Sequence, residues 1–381
     1  MKKKLCFITG SRADYGPVRY FLKKIKKNSN FNIQIIVTGS HLSKEFGYSI
    51  NEIKQDGFKI NKKINLDSLN KSSLNTAQIT GKLIQLISPE IKKLNPNLVV
   101  LFGDRYETFA AAFSASSLSI PILHICGGDI TVGSLDNIMR HSITKMSNLH
   151  FVTNEFSKKI VIQLGENPKS VFNTGSLGTE EIEKLKLLKK EKLEKIYDFK
   201  LANKNLLITY HPDSILKKNY KSEILKIFLA LKKFPDIFKI FTAANADENG
   251  NEVNILIKKF VDIKSNNSIF IPNMGNLNYL SILKYIDAVL GNSSSGIYEV
   301  PSFKKATINL GNRQKGRLMA ASVINSKIET SAIISSIKKI YTKSFKKKLK
   351  KTLNPYSGKN VSNKMLKILN NYDFSKYTKN I

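Results

Sequence analysis

Three aspartates that could act as general acids and bases lie soon after apolar runs in the first half of the chain. Asp104 follows LVVLFG, Asp129 follows IPILHICGG, and Asp136 opens a helical pattern seven residues later. Burial raises the pKa of a carboxyl group and a neighbouring arginine lowers it, so clustered carboxylates can separate into an acid and a base. Taken singly, each aspartate is better explained as a helix cap, Asp136 most clearly, but the cluster indicates proton transfer.

Three arginines and a serine-rich turn indicate a binding site for an anion, most simply a diphosphate. Only six of the 62 basic residues are arginine, and Arg12, Arg105 and Arg313 each stand in a turn after an apolar run. A planar guanidinium binds phosphate through two parallel hydrogen bonds, which lysine cannot do. The run GNSSSG adds Ser293 and Ser294 at a predicted helix start, where backbone amides attract anions.

Each of these groups also has a structural explanation. Arg105 could pair with Asp104 or Glu107, and the serines could simply cap a helix. Glu299 lies one helical turn beyond the serines, where its carboxylate could accept hydrogen bonds from ribose hydroxyls. His211 ends the first apolar run of the second half and joins the candidate residues by that position.

The elements that must position these residues alternate between short apolar runs and longer amphipathic patterns, which is typical of parallel βαβ units. The predicted strands are 5–9, 33–39, 98–103, 120–125 and 150–154, then 205–211, 237–243, 268–272, 288–292 and 306–311. The predicted helices of the first half are 17–27, 42–55, 76–94, 106–117, 136–148 and 155–164. Ligands bind at the carboxyl ends of such strands, so the polar residues found there are predicted to face one cleft.

We therefore predict an α/β fold of two Rossmann-like, doubly wound domains with a cleft between them. The N-terminal domain covers residues 1–177 and carries the three aspartates. A Lys, Glu and Leu-rich helical stretch over 177–205 precedes the C-terminal domain at 200–350, which carries the serine-rich turn. A last amphipathic helix is predicted at about 355–375.

Composition limits the partners and the cellular compartment. The net charge of +33 would by itself suggest nucleic acid or an acidic membrane, but the 56 lysines are spread along helical patterns without interleaved aromatic residues. We interpret them as solvated helix faces and expect no specific nucleic-acid or membrane partner. Cys6 and Cys126 cannot form a disulfide framework and no apolar run reaches the ~18 residues of a membrane span, so we expect a cytoplasmic protein. No metal-ligand spacing is present, and we expect no cofactor.

Several longer stretches are distinctive enough to compare with known families. They are TGSRADYG, LFGDRYE, HICGGDITVGSLDN with RHSITKMSNLHF, QLGENPKSVFNTGSLG, YHPDS and GNSSSGIYEVPSFKKATINLGNRQKGR. Together they resemble the hydrolysing UDP-N-acetylglucosamine 2-epimerases, above all the bacterial enzymes that make N-acetylmannosamine for sialic acid. The resemblance runs from residue 1 to about 370. It implies a GT-B-like fold whose C-terminal helix crosses back to the first domain, a UDP-binding second domain, and a homodimer or homotetramer.

The resemblance also implies a reaction. UDP leaves C1 while the proton at C2 is removed, and water then adds to the resulting 2-acetamidoglucal, so that UDP and free N-acetylmannosamine are released. By motif, Asp104 and Asp136 become the acid and base candidates, and His211 contacts the diphosphate or the leaving oxygen. The residues that the resemblance assigns to UDP are Arg12, Arg105, Ser293, Ser294, Glu299 and Arg313.

One position departs from the family pattern. Some members carry a catalytic glutamate where this chain has Cys126, whereas others have an acid directly after the two glycines, which matches Asp129. Part of the acid/base role is therefore expected of Asp129. Two alternatives stay open for the whole protein: the same reaction on UDP-N,N′-diacetylbacillosamine, on the way to legionaminic acid, and a GT-B glycosyltransferase, which would need an acceptor.

Overall fold

The continuous Val, Ile and Leu runs of the sequence form two parallel sheets whose strands are largely buried. The computed structural model describes residues 2–44, 48–66, 76–131, 135–212, 219–244 and 249–374. The chain divides into two units. The first comprises Met1–Ile130, Asp136–Glu181 and Tyr356–Ile381, and the second comprises Thr131–Leu135 and Ile182–Pro355.

The described strands of the first unit form one parallel sheet in the order β3-β2-β1-β4-β5-β6-β7. They are β1 (Lys3–Thr9), β2 (Phe31–Val37), β3 (Lys62–Lys63), β4 (Leu98–Phe102), β5 (Ile122–Ile125), β6 (Leu149–Val152) and β7 (Val171–Asn173). The helices between and after them are α1 (Arg12–Lys27), α2 (Ile50–Gln55), α3 (Thr76–Leu94), α4 (Tyr106–Ser117), α5 (Leu135–Met146), α6 (Glu155–Gln163) and α7 (Leu177–Lys184). The winding reverses between β1 and β4, and ligands of open α/β sheets bind at such a switch point.

The second unit repeats this plan with the strand order β10-β9-β8-β11-β12-β13, again parallel. Its strands are β8 (Asn205–Thr209), β9 (Phe238–Phe241), β10 (Ser268–Phe270), β11 (Ala288–Gly291), β12 (Ala306–Leu310) and β13 (Val323–Ser326). The remaining helices in sequence are α8 (Lys190–Tyr197), α9 (Tyr220–Lys232), α10 (Gly250–Val261), α11 (Gly275–Leu283), α12 (Ser295–Tyr298), α13 (Thr330–Ile340), α14 (Lys343–Lys350) and α15 (Val361–Asn371). The winding reverses between β8 and β11, which places the serine-rich turn after β11 at the switch point.

The last helix, α15, belongs to the first unit. Val361, Met365 and Leu369 recur every four residues and are completely buried in the first unit's core. The carboxylate of Glu180 on α7 accepts hydrogen bonds from the backbone N–H (2.8 Å) and the hydroxyl (3.0 Å) of Ser362, which satisfies an amide of the helix's first turn. The predicted return of the C-terminal helix to the first domain is confirmed.

Two predicted helices are wrong in extent. The helix predicted over 42–55 is described only as α2, because Ser43 has an extended backbone and part of the segment before α2 lies outside the described residues. The stretch 177–205 forms two helices, α7 and α8, rather than one. Between them the backbone N–H of Leu188 donates to the hydroxyl of Ser281 over 2.9 Å, a tertiary contact that replaces the helical hydrogen bond. Among the described residues, no helix combines the length and the apolar character needed to cross a membrane.

Candidate active site

Arg140 on α5 connects two of the three candidate aspartates. Its side chain is 1 % exposed, its Nη2 pairs with the carboxylate of Asp104, and its Nη1 donates to the backbone carbonyl of Asp129 over 2.7 Å. Asp104 and Asp129 follow β4 and β5, which are neighbours in the sheet. Because a buried guanidinium is stable only with such partners, Arg140 holds these two strand ends together.

The Asp129 carboxylate is fixed from a second side. Its Oδ1 accepts a hydrogen bond from the hydroxyl of Ser157 on α6 over 2.7 Å, and both residues are buried. Gly128, just before Asp129, has a φ of +82°, and a Cβ there would overlap the carbonyl of Ser157. Only glycine therefore allows this turn to approach α6, which gives the GG of HICGGD a structural reason.

Asp136 lies in the first turn of α5, four residues before Arg140. Residues four apart share one face of a helix, so the Asp136 side chain is on the face that carries the Arg140 contacts. One guanidinium thus joins Asp104 to the backbone of Asp129, and Asp136 lies one helical turn before it.

His124 on β5 is a further buried group beside these aspartates. Its Nε2 lies 2.9 Å from the carbonyl of Gly103, and its Nδ1 lies 3.1 Å from the hydroxyl of Thr144. A carbonyl only accepts, so Nε2 carries the proton and donates, and Nδ1 accepts from Thr144. Burial lowers the pKa of His124 to about 3, so the ring is neutral at ordinary pH. The neutral ring holds Gly103, whose φ is +81°, in the turn that presents Asp104.

The turn after β1 differs from its sequence interpretation. The sequence predicts a helix from Pro17, preceded by a turn that carries Arg12, but α1 begins at Arg12. The carboxylate of Asp14 accepts the backbone N–H groups of Gly10 (3.1 Å) and Ser11 (2.9 Å). These two amides are therefore used within the chain and are not available to an anion.

Arg105 has the structural partner that the sequence left open. Its Nε lies 3.2 Å from Oε2 of Glu107, which is buried against Gly10 and beside Asp14. Burial raises the pKa of Asp14 to about 7, with Glu107 adding to the increase and Arg105 opposing it. The Arg105 side chain keeps 28 % of its surface exposed, so pairing with Glu107 orients the guanidinium without covering it.

The turn after β11 forms with strict steric requirements. Gly291 has a φ of +145°, and a Cβ there would overlap the carbonyl of Thr209 on β8. The helix predicted after GNSSSG is α12, which is only one turn long and ends at Tyr298, so that Glu299 follows it. Ser294 precedes α12 without a side-chain capping bond, so the simple capping explanation of this serine is wrong. A single turn also brings little helix dipole to the serines.

Glu299 presents an unsatisfied acceptor. Among the described residues, its Oε2 is buried and receives no hydrogen bond. Burial raises the pKa of Glu299, and the hydroxyl of Ser295 and, more weakly, the charge of Arg317 act in the opposite direction. A buried carboxylate oxygen without a donor is costly, so a ligand that supplies a hydroxyl would be favoured at this position.

His211 and Arg313 come from the two strands that flank β11. His211 follows β8 and is buried, and burial followed by the charge of Arg313 lowers the pKa of its ring to about 3. The guanidinium Nη1 of Arg313 donates to the backbone carbonyl of Asn292 over 3.1 Å. Asp213, in the same YHPDS stretch, lies outside the described residues.

The described residues contain no group of three or more His, Cys, Asp and Glu side chains that could hold a metal ion. Cys126, which replaces the glutamate of some resembling sequences, has a φ of +70° and is partly exposed. Its backbone N–H donates to the carbonyl of Phe151 on the adjacent strand over 2.9 Å. Cys126 therefore continues the pairing of β5 just before the turn that carries Asp129.

Comparison with known proteins identifies the family. The family model described as UDP-N-acetylglucosamine 2-epimerase matches residues 23–370. The chain belongs to the UDP-N-acetylglucosamine 2-epimerase family. The match includes the aspartate cluster around Arg140 and the serine-rich turn after β11, and the family is one of enzymes.

Two curated relatives and one solved structure place the epimerase further. The chain is 40% identical over 345 residues (91% of the chain, 89% of the relative) to the GDP/UDP-N,N′-diacetylbacillosamine 2-epimerase (hydrolyzing) of Campylobacter jejuni subsp. jejuni. It is 36% identical over 375 residues (98% and 95%) to the polysialic acid biosynthesis protein P7 of Escherichia coli. The UDP-GlcNAc 2-epimerase structure from Neisseria meningitidis, bound to UDP-GlcNAc, matches with a TM-score of 0.85 at 22% identity and covers 97% of this chain and 100% of that one. The predicted GT-B-like α/β fold is confirmed.

Proposed function

We propose that this protein is a hydrolysing 2-epimerase of UDP-N,N′-diacetylbacillosamine. The observation that carries the proposal is the 40% identity to the Campylobacter enzyme named for that sugar, which exceeds the 36% identity to the polysialic acid protein. The comparisons thus favour the alternative interpretation of the sequence over UDP-N-acetylglucosamine. The buried acceptor of Glu299 and the neutral ring of His211 supply groups that a nucleoside diphosphate can use.

The proposed reaction begins with removal of the proton at C2 by a carboxylate of the first unit. The C–H electron pair forms the C1=C2 double bond, the C1–O bond breaks, and UDP leaves with that oxygen. Water then adds its oxygen to C1, and C2 receives a proton on the face opposite to the one from which the first proton was removed. The configuration at C2 is thereby inverted and the free sugar is released. A positioned acid or base contributes about 10²- to 10⁴-fold to such a step.

We assign the residues by unit. Asp104, Asp129 and Asp136 serve the proton transfers, since Arg140 joins Asp104 and Asp129 at the carboxyl ends of β4 and β5 and Asp136 lies one turn before it on α5. Fixed positive charge stabilises the departing diphosphate, which is commonly the largest catalytic contribution. The groups proposed for the diphosphate are Arg12, Arg105, His211, Ser293, Ser294 and Arg313, with Glu299 at the ribose hydroxyls.

Product analysis in D₂O tests the substrate. The purified protein is incubated separately with UDP-N,N′-diacetylbacillosamine, its GDP counterpart and UDP-N-acetylglucosamine, and UDP or GDP and the free sugar are followed by NMR. We expect free C2-epimerised diacetamido sugar with deuterium at C2. The two sugars differ in their groups at C4 and C6, and a pocket that fits one set should favour the preferred substrate at least about tenfold in kcat/KM.

The second candidate substrate is UDP-N-acetylglucosamine, hydrolysed to N-acetylmannosamine for sialic acid. The E. coli relative named for polysialic acid biosynthesis favours it. Higher kcat/KM with UDP-N-acetylglucosamine would decide for this candidate. A UDP-linked product, or turnover only in the presence of an acceptor, would refute both hydrolytic proposals.

The proposed setting is the cytoplasm, with a homodimer or homotetramer as the working form. Cys6 and Cys126 are both free thiols, which suits a reducing compartment. Fractionation of the native host tests the compartment, and light scattering of the purified protein tests the assembly.

A further inference from the structure

Asn292 is the residue that joins the two strand ends carrying His211 and Arg313. It follows β11, which lies between β8 and β12 in the second sheet. His211 follows β8 and Arg313 follows β12, so these two strand ends are not neighbours. We call the hydrogen bonds of Asn292 to His211, Arg313 and Gln314 the Asn292 clamp.

On the β8 side, the side-chain amide of Asn292 acts as an extra peptide group. Its Oδ1 accepts the backbone N–H of His211 over 2.7 Å, and its Nδ2 donates to the backbone carbonyl of His211 over 2.7 Å. The backbone partners fix the assignment of the amide oxygen and nitrogen, because an N–H only donates and a carbonyl only accepts. The pairing of β8 with β11 is thereby extended past Thr209 to His211.

On the β12 side, the backbone carbonyl of Asn292 accepts two donors. Arg313 Nη1 lies 3.1 Å from it and Gln314 Nε2 lies 2.8 Å from it. Gln314 is 1 % exposed, and its Oε1 in turn accepts Arg317 Nη1 over 2.8 Å. Both lone pairs of one carbonyl oxygen are thus used to orient the segment after β12.

The clamp reaches His211 and Arg313, two of the second unit's groups that are proposed for the diphosphate. A neutral imidazole can offer one N–H to a phosphate oxygen, and the guanidinium offers a planar fork. Electrostatic stabilisation depends on donors held in place before the ligand arrives. A residue that fixes the backbone of one group and the side chain of the other sets their separation.

We propose that Asn292 is a positioning residue that holds His211 and Arg313 at the spacing required by the diphosphate of the nucleotide. The inference rests on the proposed function for the identity of the ligand. Asn292 itself need not touch the nucleotide, because its side-chain amide and its backbone carbonyl are already bonded to other residues of the second unit.

Asn292→Asp tests the proposal with almost no change of shape. The variant keeps an acceptor for the N–H of His211 but loses the Nδ2 donor, so a carboxylate oxygen faces the carbonyl of His211. We expect UDP to bind about 10- to 100-fold more weakly by isothermal titration calorimetry, the range set by one buried unsatisfied acceptor. We also expect the pKa of His211, followed by NMR, to rise because a negative charge has been placed beside its backbone.

Asn309→Asp is the matched control. Asn309 lies on β12, is also buried, and its Nδ2 donates to Oδ1 of Asn325 on β13 over 2.8 Å, without contact to His211 or Arg313 among its described hydrogen bonds. It loses the same kind of donor from the same sheet. We expect it to lower the melting temperature comparably and to leave the Kd for UDP within about twofold, because its side chain is bonded to β13 and not to the clamp.

Gln314→Met removes the other arm of the clamp, and it serves as the test if Asn292→Asp does not fold. We expect about a three- to tenfold weaker Kd for UDP from this loss of one neutral hydrogen bond. Wild-type affinity for UDP in the folded variants, or equal weakening in Asn309→Asp, would overturn the positioning role. Failure of the wild-type protein to bind UDP at all would overturn it together with the nucleotide, whereas turnover of another UDP-sugar would change only the proposed substrate.

Discussion

Replacing Asp129 by asparagine removes one negative charge from the aspartate cluster with little change in shape. The hydroxyl of Ser157, 2.7 Å from Oδ1, can still donate to an amide oxygen, and the backbone carbonyl that accepts from Arg140 is unchanged. The stability cost is the difference between hydrogen bonds to a charged and to a neutral acceptor, about 1 kcal/mol. For a unit of this size that corresponds to a fall of about 2–4 °C in melting temperature.

The expected effect on the reaction is far larger. If Asp129 takes or gives the proton at C2, kcat should fall about 10²- to 10⁴-fold. Such a fall corresponds to about 3 to 5 kcal/mol in the activation free energy. The affinity for UDP should stay near that of the wild-type protein, because the groups proposed for the diphosphate are untouched.

The assay has three measurements: turnover of the UDP-sugar that the wild-type protein accepts, affinity for UDP, and melting temperature. Glu180→Gln is the control, because Glu180 is also a buried carboxylate that accepts a serine hydroxyl, at 3.0 Å, but in the contact with α15. It should lose stability and keep its kcat. Near-normal turnover in Asp129→Asn would refute the assignment and leave the proton transfers to Asp104 and Asp136.

Three further predictions follow from single contacts. The His211 ring, with its pKa lowered to about 3, should stay neutral in NMR titrations from pH 8 to 5. Since its unfolded pKa is about 6.5, the unfolded chain binds the proton first, so this residue makes stability fall as pH drops from about 6.5 toward 3; a titration midpoint near 6.5 would contradict this. Gly291→Ala should cost about 2 to 6 kcal/mol in urea unfolding, from overlap with Thr209 and backbone strain; a loss below about 1 kcal/mol would show that the turn adapts. Glu107→Gln should lower kcat/KM about fivefold by releasing Arg105, a partly exposed pair worth about 1 kcal/mol; unchanged kinetics would mean that this pair has no role in catalysis.

The parallel α/β fold is predictable because strands buried on both faces read as continuous apolar runs. The strands missed by sequence patterns, β3, β7 and β13, are short, and β3 and β7 lie at the two edges of the first sheet, where half-exposed residues leave a weak apolar signal. Helix limits were less predictable, as α1 shows. Its start is set by the Asp14 carboxylate binding two amides, and that contact has no periodicity to detect.

The aspartates of the candidate site can be proposed from the sequence because they stand where strands end, but the residues that hold them cannot. Ser157 and His124 carry no spacing that distinguishes them from ordinary polar residues. Arg140 did carry a signal, since arginine is rare in this lysine-rich chain, but its contacts with Asp104 and Asp129 depend on how α5 packs near the ends of β4 and β5. The role of Asn292 also depends on the folded structure, because its contacts join strands that are far apart in sequence.

The return of α15 to the first unit has a consequence for biosynthesis. Val361, Met365 and Leu369 leave the ribosome only after the whole second unit has been translated, yet they complete the hydrophobic core of the first unit. Until then, the apolar face of α1 that packs against α15 lacks this partner. We expect a chaperone that binds apolar surface to retain chains stalled before residue 356 longer than chains that carry α15.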